Sequence, residues 1–256
     1  YGITIIVLGV LSALFVGFIA GYRIGPGLSL VRMGALVIEG LPGGSIIYTD
    51  GAMRTYEKDG RVRMALLPGT HTVIADTQGN QPWNEAFTVA YGTDTILHPI
   101  LVPVSVHARE LKDEERAKAI NTIWAAPLPT KVAPLLAERG CVAVYAQGNQ
   151  IIAEATSTNG MTCPQLTYLC EADTCSPTMV YGSVDVLRSV ALFPGREDAL
   201  VIAAGGRIFA LEIDPRAPQF IAPLFKGAFA RLASSTESAF IGTDGVKAFE
   251  IPLPPQ

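Results

Sequence analysis

The first 22 residues, Tyr1 to Tyr22, carry no charge, and most of them are Ile, Val, Leu and Phe. Such a run is stable only where water is excluded. About 20 residues at ~1.5 Å each reach ~30 Å, the hydrocarbon thickness of a bilayer. The sequence therefore predicts a transmembrane or hydrophobic helix over 1–22. Tyr1 and Tyr22 bracket the run as interfacial aromatics do, and Arg23 is the first charge. The run is longer than the apolar core of a secretory signal, so an uncleaved anchor is expected. From Gly9 onward every fourth position is small: Gly9, Ala13, Gly17 and Gly21. A stripe of this kind lets two helices approach closely, and it predicts packing against another copy or another membrane protein.

Composition narrows the remainder. The net charge of −4 offers no clustered cations, which argues against a nucleic-acid surface. Only 16% of residues are charged, while 25 Gly and 18 Pro suit short strands and tight turns better than long helices. The four cysteines are Cys141, Cys163, Cys170 and Cys175, and three of them fall in the polar stretch TCPQLTYLCEADTC. An even count in an exported region predicts disulfides, with Cys170 joined to Cys163 or Cys175. His71, His98 and His107 are remote from these cysteines in sequence, so no metal site is expected. Disulfides would place everything after Tyr22 outside the cytoplasm.

Five segments follow from the pattern. Residues 1–22 are the hydrophobic helix. Residues 23–33 read as a juxtamembrane linker in which Gly25-Pro26-Gly27 breaks the helix. Residues 34–103 read as a small all-β unit of six strands: ALVIE (35–39), SIIYT (45–49), RVRMALL (61–67), THTVIAD (70–76), AFTVAY (86–91) and TDTILHPIL (93–101). Turn dipeptides separate them, with Asp50-Gly51 the strongest hairpin signal. Residues 104–138 hold a solvated connector helix, ARELKDEERAKAI (108–120), in which Glu114 and Lys118 form an i, i+4 pair, followed by a linker.

Residues 139–256 read as a second β-rich domain. CVAVYAQGNQIIAEA (141–155), ALVIAAGGRIFALEI (199–213) and AFIGTDGVKAFEI (239–251) share one form, an apolar strand, a Gly-containing turn and a second apolar strand. Their turn centres lie about 57 and 39 residues apart, bracketing a propeller-blade period. The segment has room for about two and a half blades, too few to close a ring, so a partial propeller-like region or an open sandwich is expected.

The 34–103 segment resembles the PEGA domain. The resemblance rests on LPGGSIIYTDG (41–51), LLPGTHTV (66–73), GNQPW (79–83) and a closing TILHPIL (95–101). Where relatives carry Thr-Pro after the Asp-Gly turn, this chain has AMRTYEKDGR. With GYR (21–23) and LVRMGALVI (30–38), the whole also looks like membrane-anchored PEGA proteins that carry a propeller-like domain. The resemblance implies a small extracytoplasmic β-sandwich with binding or structural roles at the cell surface, and it brings no catalytic residue.

No catalytic, cofactor-binding or metal constellation is expected. Asp50, Asp59, Asp76 and Asp94 fit turn chemistry. The Gly-Gly pairs at 43–44 and 205–206 lack a phosphate-loop context, and no GxSxG occurs. Trp83 reads as a core or rim aromatic of the first β unit, and Tyr145, Tyr168 and Tyr181 as filling of the second. The expectation is a non-catalytic, single-pass cell-envelope protein with extracytoplasmic β domains. Its partners would be membrane lipid, its own copies or another envelope protein, or wall polymer. A second reading is a pilin-like filament or layer subunit with the helix in the assembly core, although position 5 is Ile where pilins carry Glu. A third, an enzyme in the second domain, has no visible titratable cluster to support it.

Overall fold

A computed structural model describes residues 2–24, 29–55, 60–125, 142–155, 169–171, 174–196, 198–236 and 239–253. The chain is mainly β, built of many antiparallel sheets, and it divides into two compact units. One comprises 1–78 and 84–99, the other 79–83 and 100–256.

The first unit starts with α1 (Gly2–Ile19). This helix is shorter than the uncharged run, for a local reason. Gly21 takes φ +84°, a left-handed conformation that ends a helix cheaply only at glycine. The Ala20 N–H reaches Val16 O and the Gly21 N–H reaches Phe18 O, and the Arg23 guanidinium donates to Phe18 O and Tyr22 O, both at 2.9 Å. A cation on the last carbonyls also suits the helix dipole. The helix thus stops before Gly25-Pro26-Gly27, which lies outside the described residues. Eighteen residues rise about 27 Å, short of the ~30 Å hydrocarbon core. Among the described residues no helix is long and apolar enough to cross a membrane.

The expected 23–33 linker is partly paired. β1 (Tyr22–Ile24) and β2 (Leu30–Arg32) form an antiparallel ladder with Tyr22 opposite Arg32.

Seven strands follow: β3 (Gly34–Leu41), β4 (Ile46–Thr49), β5 (Ala52–Thr55), β6 (Gly60–Leu66), β7 (Gly69–Asp76), β8 (Trp83–Val89) and β9 (Asp94–Leu97). They form one sheet in the order β6-β3-β9 and another in the order β5-β4-β7-β8. Each of the six expected strands has a counterpart, and β5, in the AMRT stretch, is the addition. The hairpin at Asp50-Gly51 forms with φ +49° and +79°, the double positive φ that a two-residue turn matching strand twist requires. β7 alternates, with Val73 and Ala75 buried and Thr72, Ile74 and Asp76 exposed, so its sheet buries one face. Thr49 of β4 donates to the Met64 sulfur of β6, a contact from one sheet to the other. In β3, Ala35, Leu36, Val37 and Ile38 are all buried, as a strand covered on both faces demands. β3 and β9 run parallel.

The second unit opens with a short bridge between 79–83 and 100–104: Gln81 N–H donates to Val102 O (2.7 Å) and Val104 N–H to Gly79 O (2.9 Å). Then come β10 (Arg109–Leu111), α2 (Asp113–Ala125), β11 (Val142–Gln147), β12 (Gln150–Ala155), β13 (Cys170–Glu171), β14 (Thr174–Cys175), β15 (Thr178–Gly182), β16 (Leu187–Leu192), β17 (Ala199–Ala204), β18 (Arg207–Glu212), β19 (Ile221–Lys226), β20 (Arg231–Thr236), β21 (Ala239–Thr243) and β22 (Ala248–Pro252). The three strand–turn–strand segments all pair as antiparallel hairpins: β11–β12, β17–β18 and β21–β22. They build three larger sheets, β11-β12-β15, β16-β17-β18-β19 and β10-β22-β21-β20.

Residues 108–111 depart from the expected helix. Arg109, Glu110 and Leu111 add a strand to β22, and α2 starts only at Asp113. Nor is α2 simply solvated. Ala119 and Ile123, one turn apart, are buried, and Ala119 packs with Leu111 and Ala248. Its charged residues leave an apolar stripe just wide enough to cover the third sheet. The first two sheets share one core, in which Val144, Ile151 and Val180 meet Ile202, Phe209 and Leu211. Gln219 Nε2 reinforces that seam by donating to Val180 O (2.9 Å) and Glu212 O (2.8 Å).

Candidate functional site

The feature least explained by folding is the surface of α1. From Thr4 to Ala20, every residue whose side chain is described is exposed except Gly17, which is half-buried. Ile5 is 72% exposed, Phe15 65% and Ile19 70%, so apolar side chains face outward in every direction around the helix. Among the described side chains of α1, eleven large hydrophobic ones are exposed. At about 2 kcal/mol for each side chain taken out of water, burying them is worth on the order of 20 kcal/mol. That exceeds the whole stability of a typical domain, ~5–15 kcal/mol. A helix of this kind is matched to an apolar medium or partner.

Of the small-residue stripe, Gly9, Ala13 and Gly17 lie on α1, and Gly21 lies beyond its end, in the left-handed cap. A Cβ placed on Gly9 or Gly17 meets nothing within 4 Å, so the surface beside both is open. The Arg23 guanidinium stacks over the Phe18 ring, 3.5 Å from its centroid, and puts the first charge at the very end of the apolar surface.

A second arrangement joins Asp50, expected as a turn residue, to His71. His71 Nδ1 lies 2.6 Å from Asp50 Oδ2, and its Nε2 lies 2.7 Å from Leu67 O. Asp50 Oδ1 accepts the Thr72 N–H at 3.0 Å, and the Asp50 N–H donates to Thr72 O. The ring packs against Phe87, 5.8 Å between centroids, leaving the side chain 13% exposed. Burial draws the His71 pKa down, but the bond to Asp50, the bond to Leu67 O and the Asp50 charge together raise it above 6.5. Burial likewise pushes Asp50 up, and the bonds from His71 and Thr72 with the His71 charge bring it below its usual carboxylate value. Both ring nitrogens of His71 are thus within hydrogen-bond distance of an oxygen. Neither residue advertises the other in sequence, because 21 positions separate them.

The other turn aspartates diverge. Asp94 forms a two-point pair with Arg63 on the surface (3.1 and 2.9 Å), Asp76 is exposed at the end of β7, and Asp59 lies outside the described residues. In the second unit, Arg109 bridges Glu250 of β22 and Glu115 of α2. Among the described residues no group of three or more His, Cys, Asp or Glu is placed to hold a metal ion.

Cys170 and Cys175 form a disulfide joining β13 to β14. Cys141, Cys163 and Tyr168 lie outside the described residues. Tyr181 packs on Phe209, 5.3 Å between ring centroids, within the core of the second unit. Trp83 is buried, 1% exposed, and it groups with the second unit rather than the first. The cause is the 79–83 segment, whose backbone pairs with 100–104.

No family model matches the chain, and no curated protein matches it.

Proposed function

We propose that this chain is a membrane-anchored cell-envelope protein whose β units lie outside the cytoplasm and serve binding or surface architecture rather than catalysis. The observation that carries the reading is α1, uncharged and apolar on every side. A helix that packs on its own domain is apolar along one stripe, whereas one surrounded by hydrocarbon is apolar all round. α1, continued by the uncharged residues to Tyr22, buries in lipid, and Tyr22 and Arg23 sit at the headgroup level. The Cys170–Cys175 disulfide fits an oxidising compartment. The two sheets of the first unit, with the one-sided burial of β7 and the Thr49–Met64 contact between them, support a PEGA-like sandwich. The three successive sheets of the second support an open, propeller-like region. The open surface along Gly9 and Gly17 adds self-association to the anchor's role.

A filament subunit is the second reading, and the length of α1 favours it, since about 27 Å falls short of the hydrocarbon core. Gentle extraction of native membranes separates the two. Small particles that stay soluble only in detergent support the anchor. Sedimentable fibres that resist detergent overturn it in favour of assembly.

A further inference from the structure

We propose that Asp50, His71 and the Leu67 carbonyl form a pH-sensitive latch, which ties the β4–β5 turn to the β6–β7 turn as long as His71 carries both ring protons.

The argument is geometric. A backbone carbonyl oxygen only accepts hydrogen bonds, and so does an ionised carboxylate. His71 points Nε2 at the first (2.7 Å) and Nδ1 at the second (2.6 Å). Two N–H groups are needed to satisfy both, and only the imidazolium has two. A neutral ring, in either tautomer, would set one nitrogen lone pair against an oxygen lone pair at this distance. Loss of the proton therefore breaks one of the two ties. Asp50 is itself held in place, because its Oδ1 accepts the Thr72 N–H and its own N–H reaches Thr72 O. Its φ of +49° belongs to the tight turn that the hairpin requires.

Among the described residues packed around the ring, Asp50 is the charged partner. β8 presents the Phe87 ring, the turn after β6 presents the Leu67 carbonyl, and the turn after β4 presents the Asp50 carboxylate. The direction in which each group shifts agrees. His71 is raised above 6.5, so its share of stability is complete below that value and is lost as pH rises through the raised one. Asp50 is lowered below 3.8, so its share is complete above that value and is lost as pH falls through the lowered one. The latch is fully shut between these two ordinary values and opens on the alkaline side. Among the described strands β5 is at the edge of its sheet, so opening frees the turn that leads into an edge strand.

The test is a pH titration of the full chain, in detergent, by ¹⁵N NMR of the His71 ring together with amide hydrogen exchange. Below pH 6.5 both ring nitrogens are expected to show the protonated signature. As His71 titrates on the alkaline side, the protection of the Asp50 and Thr72 amides, taken relative to the intrinsic exchange rate at each pH, is expected to fall in step with it. Asp50→Asn should move the titration of His71 down and uncouple amide protection from it. A His71 that is already singly protonated below pH 6.5 in the parent protein overturns the latch, and so does amide protection indifferent to its titration. Both observations use the unmodified chain, so they decide the matter even if the variant fails to fold.

Discussion

Ser189 accepts a hydrogen bond from the backbone N–H of Leu232 at 2.8 Å, and this bond joins β16 of one sheet to β20 of the next. The pairing of β16 with β17 shifts register between Leu187 and Ser189, at the same place where the side chain reaches across. A bulge there re-aims a residue that regular pleating would have directed elsewhere. Ser189→Ala leaves the Leu232 amide without its acceptor, and the expected loss is about 1–3 kcal/mol. Denaturant unfolding followed by a probe in the second unit measures it. An unchanged midpoint would mean that the two sheets do not depend on this tie.

Gly34 opens β3 where a side chain has no room. A Cβ there would stand 2.4 Å from both Ala90 O and Val89 Cγ1, and 2.9 Å from Thr93 O. Two of the three obstacles are backbone atoms, which cannot swing aside. Gly34→Ala should therefore destabilise the first unit by about 1–3 kcal/mol, the usual penalty for overpacking. Thermal melts that show no shift would contradict the close approach.

Gly17 offers the opposite case, because its Cβ position is open. Gly17→Leu is expected to leave the melting of both β units unchanged. If the stripe packs against another helix, the same substitution weakens self-association in detergent about tenfold, or ~1.4 kcal/mol. Analytical ultracentrifugation reads the second quantity, and association equal to that of the parent chain would remove the stripe from the account.

The Cys170–Cys175 bridge closes a loop of sequence separation 5, so the chain entropy it removes from the unfolded state is small. Replacing both residues by Ser should cost about 2 kcal/mol at most, which is the loop-closure value for so short a ring. Non-reducing peptide mapping of protein taken from native membranes checks the compartment. Recovery of free Cys170 and Cys175 thiols there would undercut placement outside the cytoplasm.

Asp244 predicts an acid limb of stability. Its carboxylate accepts the Lys247 and Val246 N–H groups in the β21–β22 turn, at 2.8 and 2.9 Å. The bond from Lys247 is the main cause holding its pKa below 3.8, against a smaller upward push from burial. A carboxylate with a lowered folded-state value contributes stability that is present above 3.8 and lost as pH falls through the lowered value. Asp244→Ala should flatten the acid side of the stability profile of the second unit. A profile below pH 4 identical to that of the parent chain would show that the turn does not need the charge.

Much of the fold was legible because it is local. The uncharged run forms a helix, six β segments of the first unit became strands, and Asp50-Gly51 made the turn its dipeptide announces. The three apolar strand–Gly turn–strand segments each closed on themselves. What escaped was non-local or depended on a neighbour. β5 carries too few apolar residues to be recognised alone, and it exists because β4 offers it an edge. Residues 109–111 look like the start of a helix, yet they pair with β22, from which Arg109 and Glu250 are 141 positions apart. The buried side of α2 consists of little more than Ala119 and Ile123, a stripe that becomes a core face only once a sheet lies beneath it.

The candidate surface divides in the same way. By itself the sequence determined that residues 1–22 shun water, because absence of charge and uniform apolarity need no partner to be read. Only the tertiary structure decided that the helix ends at Ile19, that Gly21 caps it rather than extending the stripe, and that among the described residues the apolar side chains of the helix stay exposed. It alone brought Asp50 to His71, since two turns at opposite ends of a sequence interval meet only after β4 and β7 have paired. Local periodicity is written along the chain, whereas the meeting of distant residues is set by which pairing of strands buries the most apolar surface.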